Sequence, residues 1–249
     1  MITDIATEKM VVISDLHLGN PFCKTKRRVI DFLYWAADQG YDLCINGDGF
    51  EVAQVSFKKL AQDVPDVLHA LKVISNRGRK TYYVVGNHDM TFEHFLDDWG
   101  GLKMAPFLNI TSGENRIRVE HGHLYDPFFV KYPRLYEWTT IFAGFFLSIA
   151  PSLYRVWIRF EKWKSYRRAK RGEAITGESP LFARAAQELS RRGFDHIVFG
   201  HTHHVGRVEL EGGHTYWNPG SWMIGTDYIA IENGGVFLKR WQKSEINQK

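Results

Sequence analysis

Asp15, His17, Asp48, Asn87, His121, His201 and His203 share a chemistry and a position: each is a carboxylate, carboxamide or imidazole, and each follows a strand-like run. None is a thiolate. Oxygen and imidazole donors suit hard or borderline divalent cations such as Mn²⁺, Fe²⁺, Mg²⁺ or Zn²⁺. Seven donors exceed what one tetrahedral ion uses, whereas two ions sharing one carboxylate would occupy them all. Two cations roughly 3.5–4 Å apart clamp the attacking and leaving oxygens of a phosphoryl transfer. Hydrolysis at phosphorus is the reaction these side chains suggest.

The elements that must position them read as an α/β fold. Residues 10–14, 42–46 and 81–85 are apolar runs of strand length, and helical patterns over residues 26–39 and 57–77 separate them. Each run ends in a polar loop, and in open α/β sheets the ligand site lies beyond the carboxyl ends of the strands. Further on, residues 116–120 and 196–199 are strand-like and deliver His121-Gly122-His123 and Gly200-His201-Thr202-His203. The tail from Val205 to Trp241 alternates β-rich runs with Gly212-Gly213 and Asn233-Gly234-Gly235, which punctuate hairpins.

Taken in order, Asp15-x-His17, Gly47-Asp48, Gly86-Asn87-His88-Asp89, His121 before a glycine, and Gly200-His201-Thr202-His203 resemble the five motifs of the calcineurin-like metallophosphoesterases. Asn218-Pro219-Gly220-Ser221 resembles a closing motif of that superfamily, so the resemblance runs from residue 10 to about residue 221. It implies a two-sheet αββα sandwich. It also implies that Asp15, His17 and His203 hold one metal, Asn87, His121 and His201 the other, and that Asp48 bridges them, with Mn²⁺ the expected ion. In that pattern His88 bonds the phosphoryl oxygen or leaving group, Asp89 orients its ring, and a hydroxide between the metals attacks in line. Bound divalent ions lower the pKa of water towards neutrality, and a cationic imidazole offsets charge on a departing oxygen.

Between the His121 and His201 motifs lies an insertion. Residues 138–154 carry no charge and include Phe142, Phe145, Phe146 and Ile149, but these seventeen residues, broken by Pro151, fall short of the roughly 20 that span a bilayer. Arg155, Arg159, Lys162 and Lys164 follow, interleaved with Trp157 and Trp163, as in a segment lying at a membrane interface. A buried cap helix over the core is the plain alternative. The pair resembles the helical lid of the UDP-2,3-diacylglucosamine pyrophosphatases, and Gly47-Asp48-x-Phe50-Glu51 also resembles that subgroup. Three positions depart from it: His88 and His204 stand where Arg is usual, and His123 where Asp is usual. The resemblance implies one domain over residues 1–249 with a helical lid at 124–180. His123, Tyr125, Phe142, Phe145, Phe146, Arg155, Arg159, Lys162 and Lys164 are its candidate substrate contacts. The implied substrate is a lipid-linked nucleotide, the alternative another lipid, nucleotide or nucleic-acid diester.

Composition sets the bounds. With 44% apolar and 24% charged residues, the chain is an ordinary folded domain, neither disordered nor fibrous. Cys23 and Cys44 sit in unrelated settings, as in a reducing compartment, and the first nine residues lack the apolar stretch of a signal peptide. A cytoplasmic protein is expected, peripheral at the inner face of the cytoplasmic membrane. The net charge of +4 is uneven: residues 131–171 hold ten Lys or Arg against two Glu, +8, leaving −4 elsewhere. Such an excess points to an anionic partner. The apolar run next to it has no use for a nucleic-acid backbone and favours lipid. A non-catalytic scaffold built on the same fold would have no need of seven donors.

Overall fold

The computed structural model describes residues 3–20, 23–95, 101–136, 138–139, 142, 156, 159–160, 163 and 180–242. Most of the expected lid, including Phe145, Phe146, Arg155, Lys162 and Lys164, lies outside the described residues. Strands β1 (Asp4–Ala6), β2 (Lys9–Ile13), β3 (Asp42–Asn46), β4 (Thr81–Val84), β5 (Leu102–Ala105), β6 (Phe107–Ser112), β7 (Asn115–Glu120), β8 (His196–Val198), β9 (Gly206–Glu209), β10 (Thr215–Asn218), β11 (Asp227–Glu232) and β12 (Gly235–Arg240) build two six-stranded sheets. One runs β12-β11-β2-β3-β4-β5 and the other β1-β6-β7-β8-β10-β9. Helices α1 (Lys26–Asp38), α2 (Phe57–Asp63) and α3 (Pro65–Asn76) serve the first sheet, and α4 (Pro127–Lys131) and α5 (Pro180–Arg191) belong to the second half.

The strands at the centre are buried on both faces, as near-continuous apolar runs in parallel sheets should be. Val11, Ile13, Leu43 and Ile45 face α1 and α3, packing with Phe32, Leu33, Val67 and Ile74. Their neighbours Met10, Val12 and Cys44 point the other way, into a core shared with Leu108, Ile117, Val119 and Val198 of the second sheet. Phe182, Ala186 and Leu189 of α5 cover the outer face of that sheet against Ile197, Phe199 and Tyr216. The layers are therefore helix, sheet, sheet, helix, as the motifs implied. Phe32, wholly buried among Trp35, Trp222, Tyr228 and Trp241, anchors the first helical layer. Its truncation to Ala would cost roughly 3–5 kcal/mol.

Two expectations change. The single helix expected over residues 57–77 is two, because Pro65 has no N–H to continue α2 and instead opens α3 at its first turn. Strands β1, β5 and β6, which no clear period announced, complete the sheets. The last hairpin is as expected: Asn233 and Gly234, with φ of 48° and 84°, form its two-residue loop between β11 and β12. Among the described residues no helix is long and apolar enough to cross a membrane.

Candidate metal centre

Parallel neighbours deliver the motifs to one place. β2, β3 and β4 pair side by side and in parallel, as do β7 and β8, so their carboxyl ends emerge together. The loops beyond them are knitted by backbone bonds: Asp15 N donates to Gly47 O (3.1 Å), His17 N to Asp48 O (2.8 Å) and Gly200 N to His121 O (3.0 Å). Asn46 Nδ2 donates to Glu120 O at 3.1 Å, tying the first sheet to the second.

The turns are strained where the donors sit. Asp15, His17, Asp48, His201 and His203 have φ of 55°, 46°, 50°, 60° and 58°, the left-handed region that L residues avoid. Among the described residues only Asn233 joins them. Each such residue costs of order 1–3 kcal/mol and persists only where the surroundings impose it. Here the chain leaves each strand abruptly, which turns the side chain inward. Gly47, at φ 75°, admits no side chain: a Cβ there would overlap the His121 ring.

Several of the candidate donor atoms lie close together. Asp15, His17 and His203 each offer an atom, all within 4.8 Å of one another, and so do Asp15, Asp48 and His121. Asn87 Oδ1 lies 3.1 Å from His121 Nε2 and 2.9 Å from His201 Nδ1. Three imidazoles are tied back through the nitrogen that does not face the cluster: His17 Nδ1 to Glu51 Oε2 (2.9 Å), His121 Nδ1 to Asn46 O (3.0 Å) and His201 Nε2 to Asp126 Oδ2 (3.1 Å). Metal-binding histidines are held in this way, with the free nitrogen left for the ion. His17 Nε2 is buried with no hydrogen-bond partner among the described residues. These residues fit a pair of divalent cations.

The electrostatics agree. Burial would depress His121, but the Asp48 and Asp15 carboxylates outweigh it and push its pKa up to about 10. His88 is likewise raised to about 9, against burial, by Asp48 and Glu51. Burial would raise Asp48, yet His121 and His88 hold it well below the usual carboxylate range. Without a cation, protons on histidine supply the positive charge that these buried carboxylates require.

Some expected roles change. Asp89 does not reach the His88 ring. Its carboxylate accepts from Gly86 N (2.6 Å), Gly49 N (3.0 Å) and the Tyr83 hydroxyl, so it braces two loops, and burial beside Asp48 raises it to about 6. The His88 ring is held by Glu51, whose Oε1 lies 2.6 Å from Nδ1, while Nε2 faces Asp48 Oδ2 at 4.0 Å. His88, His17 and Asp48 also form a third convergent group. Tyr125 turns to the second sheet, its hydroxyl donating to Glu120 Oε1 (2.6 Å) and its ring against Phe199. His123 is buried against His121, His201 and Phe129, and burial lowers it to about 3, so it is neutral. Phe142 and Arg159 are exposed.

Sequence reasoning assigned no role to Glu51, Asp126 or Tyr136. Asp126 caps α4 by accepting from Phe128 N and holds His201 with its other oxygen; its place before Pro127 signalled the cap but not the histidine. Asn87 Nδ2 donates to the Tyr136 hydroxyl at 2.8 Å, which joins the root of the insertion to the cluster.

A model of the calcineurin-like phosphoesterase family matches residues 8–205. A UDP-2,3-diacylglucosamine hydrolase from Stenotrophomonas maltophilia (strain K279a) is 26% identical over 240 residues, covering 91% of this chain and 96% of that protein. One from Haemophilus influenzae (strain PittGG) is 31% identical over 113 residues, an alignment spanning 44% of this chain and 46% of that relative. Among solved structures, a dimetal phosphatase from Danio rerio aligns over 94% of this chain and 96% of its own, with a TM-score of 0.53 at 9% identity, a likeness of fold.

Proposed function

The chain belongs to the calcineurin-like phosphoesterase family and is a metal-dependent hydrolase, and we propose that it cleaves a phosphodiester or pyrophosphate bond in a lipid-linked nucleotide such as UDP-2,3-diacylglucosamine. Asp15, His17 and His203 would hold one divalent ion, Asn87, His121 and His201 the other, and Asp48 both, with Mn²⁺ the proposed metal. When bound, such ions supply positive charge for the phosphoryl oxygens and acidify water near neutral pH. The remaining work falls to side chains. His88, cationic near neutral pH, presents Nε2 towards the site and hands its proton to the departing oxygen as water forms the new P–O bond. Glu51 keeps the other ring nitrogen occupied. Asp15, Asp48 and His121 are sealed from solvent, which strengthens every charge interaction among them.

One observation carries the lipid half of the reading. The insertion leaves directly from the cluster at Tyr136 and presents Trp138, Phe142, Phe160 and Trp163, each about half exposed. Exposed rings pair, Trp138 with Phe142 and Phe160 with Trp163, and the second pair sits within the basic stretch of residues 155–171. Acyl chains need an apolar surface, and a pyrophosphate or lipid head group needs cations beside it. On this reading residues 124–180 are a lid on a single catalytic unit, and the protein works peripherally at the inner face of the cytoplasmic membrane. The direct test is hydrolysis of UDP-2,3-diacylglucosamine beside bis-p-nitrophenyl phosphate with Mn²⁺, together with mass spectrometry of lipid extracted from the purified protein. Turnover of the soluble diester alone, with no lipid bound, would reduce the function to that of a general metallophosphodiesterase.

A further inference from the structure

Glu51 is 1% exposed, and both of its carboxylate oxygens are used by histidines from different loops. Oε2 accepts from His17 Nδ1 at 2.9 Å, and Oε1 accepts from His88 Nδ1 at 2.6 Å. A carboxylate has only lone pairs to offer, so both rings carry their proton on Nδ1 and turn Nε2 towards the cluster. The two rings stand perpendicular, with centroids 4.8 Å apart. The backbone holds Glu51 between them. Glu51 N donates to Leu18 O (2.9 Å), one residue beyond His17, and Ala53 N donates to the carbonyl of His88 itself (3.0 Å). Leu18 and Phe50 form a parallel bridge that extends the β2–β3 pairing to this point. The segment after Asp48 is thereby clamped to both histidine loops.

We propose that Glu51 is a positioning residue that grips His17 and His88 by their Nδ1 atoms, so that one carboxylate aims a metal-holding imidazole and a proton-donating imidazole into the site together. The inference rests on the metal assignment of His17 and the role of His88 given above. Its consequence is that neither histidine is set independently. Loss of Glu51 should release both rings, damaging ion binding through His17 and turnover through His88.

The test uses E51A and E51Q in the full chain. In metal-free protein, long-range proton–nitrogen spectra of the imidazoles should show a proton held on Nδ1 of both His17 and His88. E51A should lose both signatures. E51Q, which keeps one acceptor oxygen, should lose one. Calorimetric titration with Mn²⁺ should show one of two ions weakened roughly 10–100-fold in E51A, with E51Q between it and the parent. On bis-p-nitrophenyl phosphate, kcat should fall by a comparable factor while KM stays within about twofold. Parent-like imidazole spectra, or parent-like affinity for both ions in E51A, would overturn the proposal. If E51A does not fold, E51Q decides by the same two measurements. A parent protein that hydrolyses no phosphodiester yet gives the expected spectra and titrations would sink the phosphoesterase reading and leave this one standing.

Discussion

His203 Nε2 lies 3.1 Å from Asp15 Oδ1, so the last motif loop closes on the first. Asp15 is wholly buried and shares the same small volume with Asp48, which is 2% exposed. Two buried carboxylates so close together need a countercharge, and histidines that must also stay available as donors are a poor permanent supply.

Activity should therefore require a divalent ion and vanish on chelation. Asp48→Ala should be the most damaging change to the donor set, because on the proposed assignment Asp48 would serve both ions, and its Oδ1 also accepts from His88 N at 2.8 Å. Metal content by elemental analysis and turnover of bis-p-nitrophenyl phosphate measure both effects. Asp48→Ala that retains two ions and normal turnover would remove Asp48 as the shared ligand.

His88→Ala should lower kcat by roughly 10²–10⁴, the range for a general acid or charge stabiliser, and leave metal content nearly intact. The geometry makes this a sharp test, since His88 also converges with His17 and Asp48. Loss of an ion in this variant would make His88 a ligand.

The histidines set a pH dependence with a definite sign. His121 and His88 are pushed from 6.5 to about 10 and about 9, so the metal-free folded chain binds more protons than the unfolded chain between those values. Their contribution to stability is complete below 6.5 and is lost as pH rises through about 9 and about 10. A cation must displace the His121 proton, so Mn²⁺ binding should tighten as pH rises across the same window. Urea unfolding of chelated protein and Mn²⁺ calorimetry, each at about pH 6.5 and about pH 9, should move in opposite directions. Parallel pH trends would contradict the charge assignment.

Replacing Trp138 and Phe142 with serine should leave the fold and soluble-diester turnover intact, because both rings are exposed, at 60% and 53%. Activity on a diacylated substrate should fall, by roughly 0.8 kcal/mol for each acyl CH₂ no longer covered. Equal activity of the variant on both substrates would exclude this surface as the acyl contact.

The strands that carry the seven candidate ligands, and the αββα class, were legible in the sequence. A doubly buried parallel strand is an unbroken apolar run, and its exit stands out as an abrupt change to Asp, His or Asn. Residues 10–14 and 42–46 show this plainly, and the Asn233-Gly234 turn was legible as well, because its positive φ values are local preferences. Strand β1, three residues long, is too short to show a period, and it exists because Asp4–Ala6 find Asn109–Thr111 across the fold. The roles of Glu51, Asp126 and Tyr136 were hidden for the same reason. Each acts on a histidine or asparagine in a different loop, and no spacing along the chain encodes which loops meet. The parallel pairing of β3 with β4 brings His88 to Glu51 rather than to its neighbour Asp89, because Asp89 is already taken by two backbone amides and the Tyr83 hydroxyl. Residue types limited the chemistry, while the crossing of strands from distant parts of the chain decided which side chain serves which partner.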